Sequence, residues 1–415
     1  MTVLTVISTA ERTRNFRLFW LSGAISRLGS HASGVALPIL VLMAGGSPFV
    51  AGLLGTVGAT IEVVVTPIAG VYADRYPRRN LMTGAAVLAA AAMVPIAVSV
   101  AQDAVYWPLL FGCVAVEGLA TAVFAAAAAG SIRQILPEDA ETALGSLQAR
   151  EQGAQLVGPG LGGLLYQVGA SIPFFFDALS YLVSAVCIRS IRSELRPAQP
   201  EAGPAPVSSV GAELAAGVRY LWGQPFLRFV ALWSGGVNLV LGALYLEVIL
   251  VARLRGASAG MIGLLLSAAG VAGLIGALLA PRVLRRVPVS MLVISVSWAA
   301  AVVVLLMVVT PSTWAAGLVL AAVCFLTPAL SIVFQSKAIL MTPDGLQGRV
   351  GTALGTLGEG TGAIAPVLAG FLVVTLDPRV IAALFAACLA VLACYAGLSM
   401  QKLRSGSSPA PVQER

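Results

Sequence analysis

Four carboxylic acids, one arginine and the single histidine lie inside long apolar runs of this sequence. An ionisable group in the hydrocarbon core of a membrane is expensive, so each is a candidate functional residue by default. A carboxyl group favours its neutral form in dry surroundings, so it can load and release a proton as those surroundings alternate between wet and dry. The candidates for proton or substrate binding are Arg27, His31, Glu62, Glu117, Glu247 and Glu359.

The neighbours of these residues rank them. Glu117, flanked by small residues in AVEGLATA, and Glu62, in ATIEVVV, are the first choices for a proton site. Arg27 and His31 are one helical turn apart on one face, and Arg27 could hold an acid charged if all the acids face one cavity. His31 titrates near neutral pH, but it is equally well a hydrogen-bonded packing residue. Any single acid could instead lie near an interface or satisfy a neighbouring helix.

The sequence predicts no enzyme. It contains no phosphate-binding loop, so ATP is not a direct energy source, and it contains no nucleophile motif or metal-ligand spacing. We therefore expect no cofactor and no metal. The five cysteines lie singly in apolar runs and indicate core packing, not a disulfide framework or a redox relay; they are Cys113, Cys187, Cys324, Cys388 and Cys394.

Membrane-spanning helices must position these residues. The 415-residue chain is 58% hydrophobic and only 10% charged, which is far from the composition of a soluble domain. Each crossing needs about 20 apolar residues. The apolar runs predict an all-α protein with twelve crossings, at approximately 17–43, 49–72, 80–101, 106–131, 141–168, 172–192, 225–252, 258–281, 288–309, 313–341, 347–374 and 379–402.

A polar stretch rich in proline and alanine separates the sixth run from the seventh and predicts a linker between two six-helix halves. The expected units are a first bundle, a linker, a second bundle and a tail, at 1–192, 193–224, 225–402 and 403–415. Within the linker, AELAAGVRYLW predicts a short surface helix with Leu214, Val218, Leu221 and Trp222 on one side. The start of the chain does not resemble a cleavable signal peptide.

The basic residues are divided unequally between the two sides. Of the 25, 21 are assigned to the N-terminus, the even-numbered loops, the linker and the tail, with Arg133 and Arg150 in the fourth loop. Only three face the other side. This asymmetry predicts that both termini are cytoplasmic. It also accounts for the net charge of +7 without nucleic-acid binding.

The two halves repeat short patterns. TALGSL at 142–147 recurs as TALGTL at 352–357, and GPGLGG at 158–163 recurs as APVLAG at 365–370. A proline-containing acidic turn precedes each copy of the first pattern. Three matches in the same order indicate duplication, which is common in transporters whose substrate path lies between the halves.

The stretch GVYADRYPRR follows the second crossing. Gly70, Asp74, Arg75, Arg78 and Arg79 match the signature loop of the major facilitator superfamily, which this chain resembles over almost its whole length. Topology alone needs the arginines but not the acid and the glycine. We therefore expect a conformational latch, in which Gly70 lets helices approach closely and Asp74 caps a helix or accepts from an arginine. The second-half copy, GALLAPRVLRR, keeps arginines but has no acid.

GPGLGG in the fifth crossing resembles the antiporter motif of the same superfamily. Its motif residues are Gly158, Pro159, Gly162 and Gly163. The proline bends the helix, and the glycines permit close packing against a neighbour. An ordinary close-packed membrane helix explains the pattern equally well.

Four shorter stretches are similar to a bacterial branch with macrolide-efflux and enterobactin-exporter-like members. They are RNFRLFW, VALP, FFFDALSYLVSA and LQGRV. The resemblance implies proton-driven export of a hydrophobic or amphipathic small molecule by a monomer in the bacterial inner membrane. Siderophore export, solute uptake and a non-transporting membrane sensor or assembly protein stay open as alternatives. Asp177, an acid of this branch, is expected to cap a helix or anchor it at the interface.

Overall fold

The computed structural model describes residues 9–137, 139–193, 195, 210–309, 312–342 and 347–405. In those ranges every regular element is a helix. The bounds are α1 (Thr9–Met43), α2 (Pro48–Ala73), α3 (Arg78–Ala101), α4 (Trp107–Ile135), α5 (Ala140–Val168), α6 (Ile172–Arg189), α7 (Val210–Gly223), α8 (Pro225–Leu254), α9 (Ala259–Leu284), α10 (Val289–Val309), α11 (Thr313–Met341), α12 (Gln347–Thr375) and α13 (Pro378–Ser405).

Helix starts follow local capping chemistry. Ser47 and Ser258 are the N-caps of α2 and α9, and each side chain accepts a hydrogen bond from the backbone N–H three residues later. Asp139 caps α5 in the same way. These contacts satisfy backbone donors that a helix leaves unpaired in its first turn. The ends of the predicted crossings lie close to the ends of the observed helices, although α1 begins at Thr9, earlier than its predicted crossing.

Eleven of the described helices are long and apolar enough to span a membrane. Two of the described helices fail this criterion: α7, which has only 14 residues, and α5, which has 29 residues but carries Arg150 and Glu151 near its middle. It nevertheless packs lengthwise against α1 and α9, as the fifth crossing of the predicted bundle would. Arg150 thus lies inside a helix, and its assignment to the fourth loop is wrong.

The core is divided between two sets of helices. Helices α8 to α13 share one large apolar cluster, in which Phe334 packs edge-on against Phe229 and Trp233. Helices α1 to α6 hold two smaller clusters. Between them α7 packs against α12, with Leu221 buried and Trp222 exposed. The helix predicted in the linker is confirmed, whereas the unit boundaries stay predictions.

Two helix pairs make the most extensive contacts between the halves, α2 with α12 and α5 with α9. Hydrogen bonds cross them from Gln167 to Ser258 at 3.1 Å, and from the Val367 amide to the Thr56 hydroxyl at 3.0 Å. All four residues lie towards the end of the bundle opposite the termini, which we call the distal end. At the terminal end, where α1 begins and α13 ends, Val64, Ile68 and Tyr72 of α2 are exposed. The hydrogen bonds named above therefore hold the halves together at the distal end, which is closed in this conformation.

Candidate functional site

A central cavity of about 350 Å³ lies between the halves. Its walls come from α1, α2, α4, α8 and α12, and most of its lining is small or apolar. Among the described residues, the ionisable side chains on the wall are Arg27, Glu62, Glu117 and Tyr245. The two acids ranked first from the sequence thus share one cavity, on neighbouring helices of the first half.

Glu117 is held by a polar chain that crosses three helices. Its Oε1 accepts a hydrogen bond at 2.8 Å from the hydroxyl of Tyr181 on α6. That hydroxyl lies 2.9 Å from the Ser30 hydroxyl on α1. Ser30 in turn reaches the backbone oxygen of Ser26, one turn earlier, at 2.9 Å. The carboxyl group therefore has both a fixed position and access to the cavity.

A second cavity of about 520 Å³ adjoins the first on the terminal side, and we call it the vestibule. It is lined by α1, α4 and α5, including Phe19 and Phe124. Arg27, Ser30 and Thr121 line both cavities, so the two are continuous.

The vestibule wall holds an ion pair that the sequence did not predict. Arg27 Nε lies 3.4 Å from Glu151 Oε2, with side chains 40% and 29% exposed. In this conformation the ion pair of Arg27 is thus with Glu151, which was not among the candidate acids. Arg150, on the same wall, packs its guanidinium against Gly23 of α1. Glu151 could have been found from its place in the middle of a predicted crossing.

Glu247 does not join this cluster. Glu247 of α8 is 1% exposed and lies in a small separate pocket of the second half, beside Arg255 and Ser312. Its Oε2 has no hydrogen-bond partner among the described residues. Glu247 therefore does not face the central cavity, which is the alternative left open for any single acid. Glu359 belongs to α12, but its side chain lies outside the described residues.

The GPGLGG segment lies where α5 crosses both α1 and α9. Gly158 packs on the Cβ of His31, and Gly162 packs on the backbone of Ala32 in α1. Gly163 faces the other way and packs on the Ala259 carbonyl of α9. The next residue after Pro159, Gly160, donates its N–H to the Ser267 hydroxyl at 2.9 Å. The motif thus forms the seam between the halves.

His31 therefore has a packing environment. Its Nε2 is buried and has no hydrogen-bond partner among the described residues. The histidine does not line the central cavity or the vestibule. This placement favours packing over proton transfer for His31.

The signature loop centres on Arg78, which is buried. Its guanidinium donates to the Asp74 carboxylate at 3.0 Å, to the Ala73 carbonyl at 3.0 Å, and to the Gly130 carbonyl of α4. Asp74 is also the C-cap residue of α2. No atom of another segment lies within 4 Å of a Cβ built on Gly70, so the expected close helix approach there is wrong in this conformation.

The other arginines of this loop divide between solvent and the chain after α6. Arg79 Nη1 donates to the Ile191 carbonyl at 3.0 Å, whereas Arg75 is exposed. The Arg78 backbone N–H donates to the Leu195 carbonyl at 2.9 Å. The loop is thus fastened within the first half and to the start of the linker.

Asp177 does not have the capping or interfacial position that was expected for it. It is fully buried in α6, two turns from Ser171, the N-cap residue, so it neither caps the helix nor anchors it at an interface. Its Oδ2 accepts from the Ser33 hydroxyl at 2.6 Å, and its Oδ1 lies 3.3 Å from the Ser180 hydroxyl. Sequence ranking missed Asp177 and Tyr181 because both lie in an apolar helix whose orientation the pattern does not define.

Comparison with known proteins agrees with this geometry. The sequence model of the Major Facilitator Superfamily matches residues 19–362. The chain is 29% identical over 369 residues to the multidrug efflux pump Tap of Mycobacterium tuberculosis, covering 82% of this chain and 83% of that one. It is 27% identical over 370 residues to the pump of the same name from Mycolicibacterium fortuitum, covering 82% and 85%.

Solved structures share the fold at low identity. The nucleoside transporter NupG superposes with a TM-score of 0.71 at 12% identity, over 94% of this chain and 99% of that one. A bacterial homolog of the human lysosomal transporter Spinster, inward-facing and unoccupied, also gives 0.71, at 14% identity over 97% and 100%. These likenesses concern the arrangement of helices alone.

Proposed function

Because this chain belongs to the Major Facilitator Superfamily and is a multi-pass membrane transporter, we propose that it exports hydrophobic or amphipathic small molecules in exchange for protons. The observation that carries this proposal is the central cavity, where two carboxyl groups stand on a mostly apolar wall. The similarity to proteins named multidrug efflux pumps supports the substrate class.

The size and lining of the chamber suit a bulky substrate. Small-molecule sites typically enclose about 300–1,000 Å³ and are mainly apolar, with a few polar groups that fix orientation. The central cavity and the vestibule each fall in this range, and they join at Arg27, Ser30 and Thr121. An amphipathic molecule can bury its apolar body against Phe19 and Phe124 and place a polar group near the acids.

Proton exchange follows from the position of Glu62 and Glu117. A carboxylate on an apolar wall is stabilised by a bound cation, or else by a bound proton that removes its charge. Substrate and proton can therefore displace one another at the same groups. Export results if the acids face the cytoplasm when they hold substrate and the outside when they take up protons.

The change of access uses the seams between the halves. The closed distal end rests on α2 against α12 and on α5 against α9, with the GPGLGG segment at the second seam. Rocking of the halves about the cavity would open this end and close the other. We infer that the terminal end is cytoplasmic from the charge asymmetry, and that the signature loop latches one of the two states. Because one chain encloses the cavity, it works as a monomer.

A second candidate is export of a siderophore or another acidic natural product. Among the described residues of the vestibule wall, two arginines, Arg27 and Arg150, stand against one acid, Glu151. Guanidinium groups bind carboxylates and similar anions in bidentate geometry. An acidic substrate would therefore bind here in place of Glu151.

Transport by everted membrane vesicles tests the proposal. Lipophilic cations, macrolides and catechol siderophores are offered under an imposed pH gradient, and accumulation is followed with and without a protonophore. We expect Glu117→Gln and Glu62→Gln to abolish gradient-driven accumulation of cations. Glu247→Gln is the matched control, because that acid is buried in the membrane but lies away from the cavity.

The outcomes separate the candidates. Accumulation of cations and macrolides that collapses with the protonophore supports proton-coupled drug export. Accumulation of the siderophore alone supports the second candidate. If no compound moves, or if Glu247→Gln is as damaging as Glu117→Gln, the central cavity is not the coupling site and the proposal is wrong.

A further inference from the structure

The polar chain behind Glu117 has a property that individual hydrogen bonds do not reveal. Tyr181 and Ser30 each carry one hydroxyl proton, yet each hydroxyl has two oxygen neighbours within 2.9 Å. A hydroxyl can donate one hydrogen bond and accept others. The heavy atoms therefore allow two arrangements of the same protons.

In the first arrangement Glu117 is ionised. Tyr181 donates to Glu117 Oε1, and Ser30 donates to the Tyr181 oxygen. The Ser26 carbonyl keeps its place in the backbone ladder of α1 without the serine hydroxyl. Both carboxylate and hydroxyls are then satisfied, and the chain ends as a donor to the anion.

In the second arrangement Glu117 is protonated. Its own O–H donates to the Tyr181 oxygen, Tyr181 donates to Ser30, and Ser30 donates to the Ser26 carbonyl. Each hydroxyl has turned round, but no heavy atom has moved. The proton itself enters and leaves Glu117 from the cavity, and the two hydroxyls keep their protons throughout.

We propose that Tyr181 and Ser30 are positioning residues that let Glu117 gain and lose a proton without a rearrangement of its site. This inference rests on the proposed proton exchange, and it adds the groups that make Glu117 suited to it. A buried polar group without a partner costs stability, so a carboxyl with donors alone or acceptors alone is held in one state. The reversible chain removes that bias.

Other ionisable groups face Glu117 from the surrounding helices. Arg27 of α1, Glu62 of α2 and Tyr245 of α8 share its cavity, and Asp177 lies one turn before Tyr181 in α6. Helix α3, which packs on α4, contributes no ionisable side chain between residues 80 and 101. These groups determine the pH at which wild-type Glu117 titrates. The hydroxyl chain determines how that midpoint changes when a single hydroxyl is removed.

The hydrogen-bond chain predicts that two substitutions shift the midpoint of Glu117 titration in opposite directions. Tyr181→Phe removes a donor to the anion, and hydrogen bonds to a charged group are roughly twice as strong as neutral ones. The midpoint of Glu117 titration should therefore rise by about one pH unit, a tenfold change in the protonation equilibrium. Ser30→Ala removes the acceptor that Tyr181 needs only when Glu117 is protonated, so the midpoint should fall by about half a unit or more.

Infrared titration of the purified protein in detergent measures these midpoints from the carboxyl C=O band that Glu117→Gln removes. Tyr395→Phe, in the core of the second half, and Ser184→Ala are the matched controls. Ser184 shares a hydrogen bond with Ser22 across the same α1–α6 contact but away from Glu117. Neither control should move the band. The pH profile of vesicle transport should follow the infrared midpoints.

Shifts of opposite sign support the inference. Shifts of the same sign, or none, overturn it even when wild-type transport is driven by protons. If the two shifts have opposite signs but transport does not depend on the pH gradient, the inference about the hydrogen-bond chain is supported and the proposed proton exchange is wrong. Should Tyr181→Phe fail to fold, the downward shift expected for Ser30→Ala decides the question alone.

Discussion

The contact of Gly52 with α12 determines whether the distal end can close. A Cβ built at position 52 would lie 2.9 Å from the carbonyl carbon of Pro366 and 3.1 Å from the Cα of Val367, and closer still to the Pro366 oxygen. These are backbone atoms of a helix and cannot turn aside. Gly52→Ala therefore forces α2 and α12 apart at this end, although an alanine suits the helix itself.

The size of the effect follows from the cost of overpacking. Extra methyl or methylene groups in a well-packed contact typically cost about 1–3 kcal/mol. The methyl has room when the distal end opens, so this cost applies to the distally closed state alone. The ratio of distally open to distally closed molecules should thus rise by about 5- to 150-fold.

Spin labels across the distal end measure that ratio. Val168 at the end of α5 and Val374 at the end of α12 are both exposed and belong to opposite halves. In a background without native cysteines, double electron–electron resonance between labels at these positions should show a longer distance for Gly52→Ala. Gly84→Ala is the control, because nothing lies within 4 Å of its Cβ position.

An unchanged distance distribution for Gly52→Ala would show that the α2–α12 contact does not hold the distal end closed. A shortened distance would contradict the direction of the argument as well. If Gly84→Ala lengthens the distance equally, the change reflects loss of a flexible residue and not a steric conflict.

Three further outcomes are expected from the described contacts. Asp74→Asn should lower the free energy of unfolding by less than about 1 kcal/mol because the Asp74 side chain is 76% exposed. Arg78→Ala should lower it by about 3 kcal/mol because the carbonyl groups that Arg78 contacts lose their hydrogen-bond donor. Chemical unfolding in mixed micelles measures both values. The half-exposed pair of Arg27 and Glu151 should show a coupling of about 0.5–1 kcal/mol in a double-mutant cycle of the same measurement. Hydrogen bonds with the side chain and backbone of Thr142 lower the pKa of Asp139. The stabilisation that Asp139 gives to the start of α5 is therefore present above the ordinary pKa of an aspartate and is lost as the pH falls through the lowered value. Amide exchange at the start of α5 should quicken in acid, and Asp139→Ala should quicken it at neutral pH.

Much of the frame could be predicted from the sequence because a membrane leaves few choices. Backbone groups in hydrocarbon must be satisfied within a helix or a closed barrel, so long apolar runs become helices. Charged turns and capping residues such as Ser47 and Ser258 then define the helix ends. The exception, α5, shows the limit: Arg150 and Glu151 make it too polar for a hydropathy criterion, yet its glycines pack it between α1 and α9.

The site could be predicted only as a set of residue types. Glu62 and Glu117 are conspicuous in apolar surroundings, but nothing in a helix that is apolar all round tells which way a side chain points. That rotation is set by packing, as where Gly158 of α5 admits His31 of α1. The partner of Arg27 and the burial of Asp177 both depend on such rotations, so the pair with Glu151 was not foreseen and the expectation for Asp177 was wrong.

The internal duplication accounts for the contacts between the two halves better than it accounts for the positions of the acids. The repeated prolines occupy matching seams, since Pro159 of α5 meets Gly263 of α9 and Pro366 of α12 meets Gly52 of α2. The residues 206 to 210 positions after Glu117 and Asp177, in contrast, are all uncharged. The two described acids of the central cavity, Glu62 and Glu117, both belong to the first half, so the proposed proton exchange gives the two halves different tasks. In the proposed mechanism the seams move both halves alike, whereas protonation would act on the first half and would reach the second through the substrate or the seams.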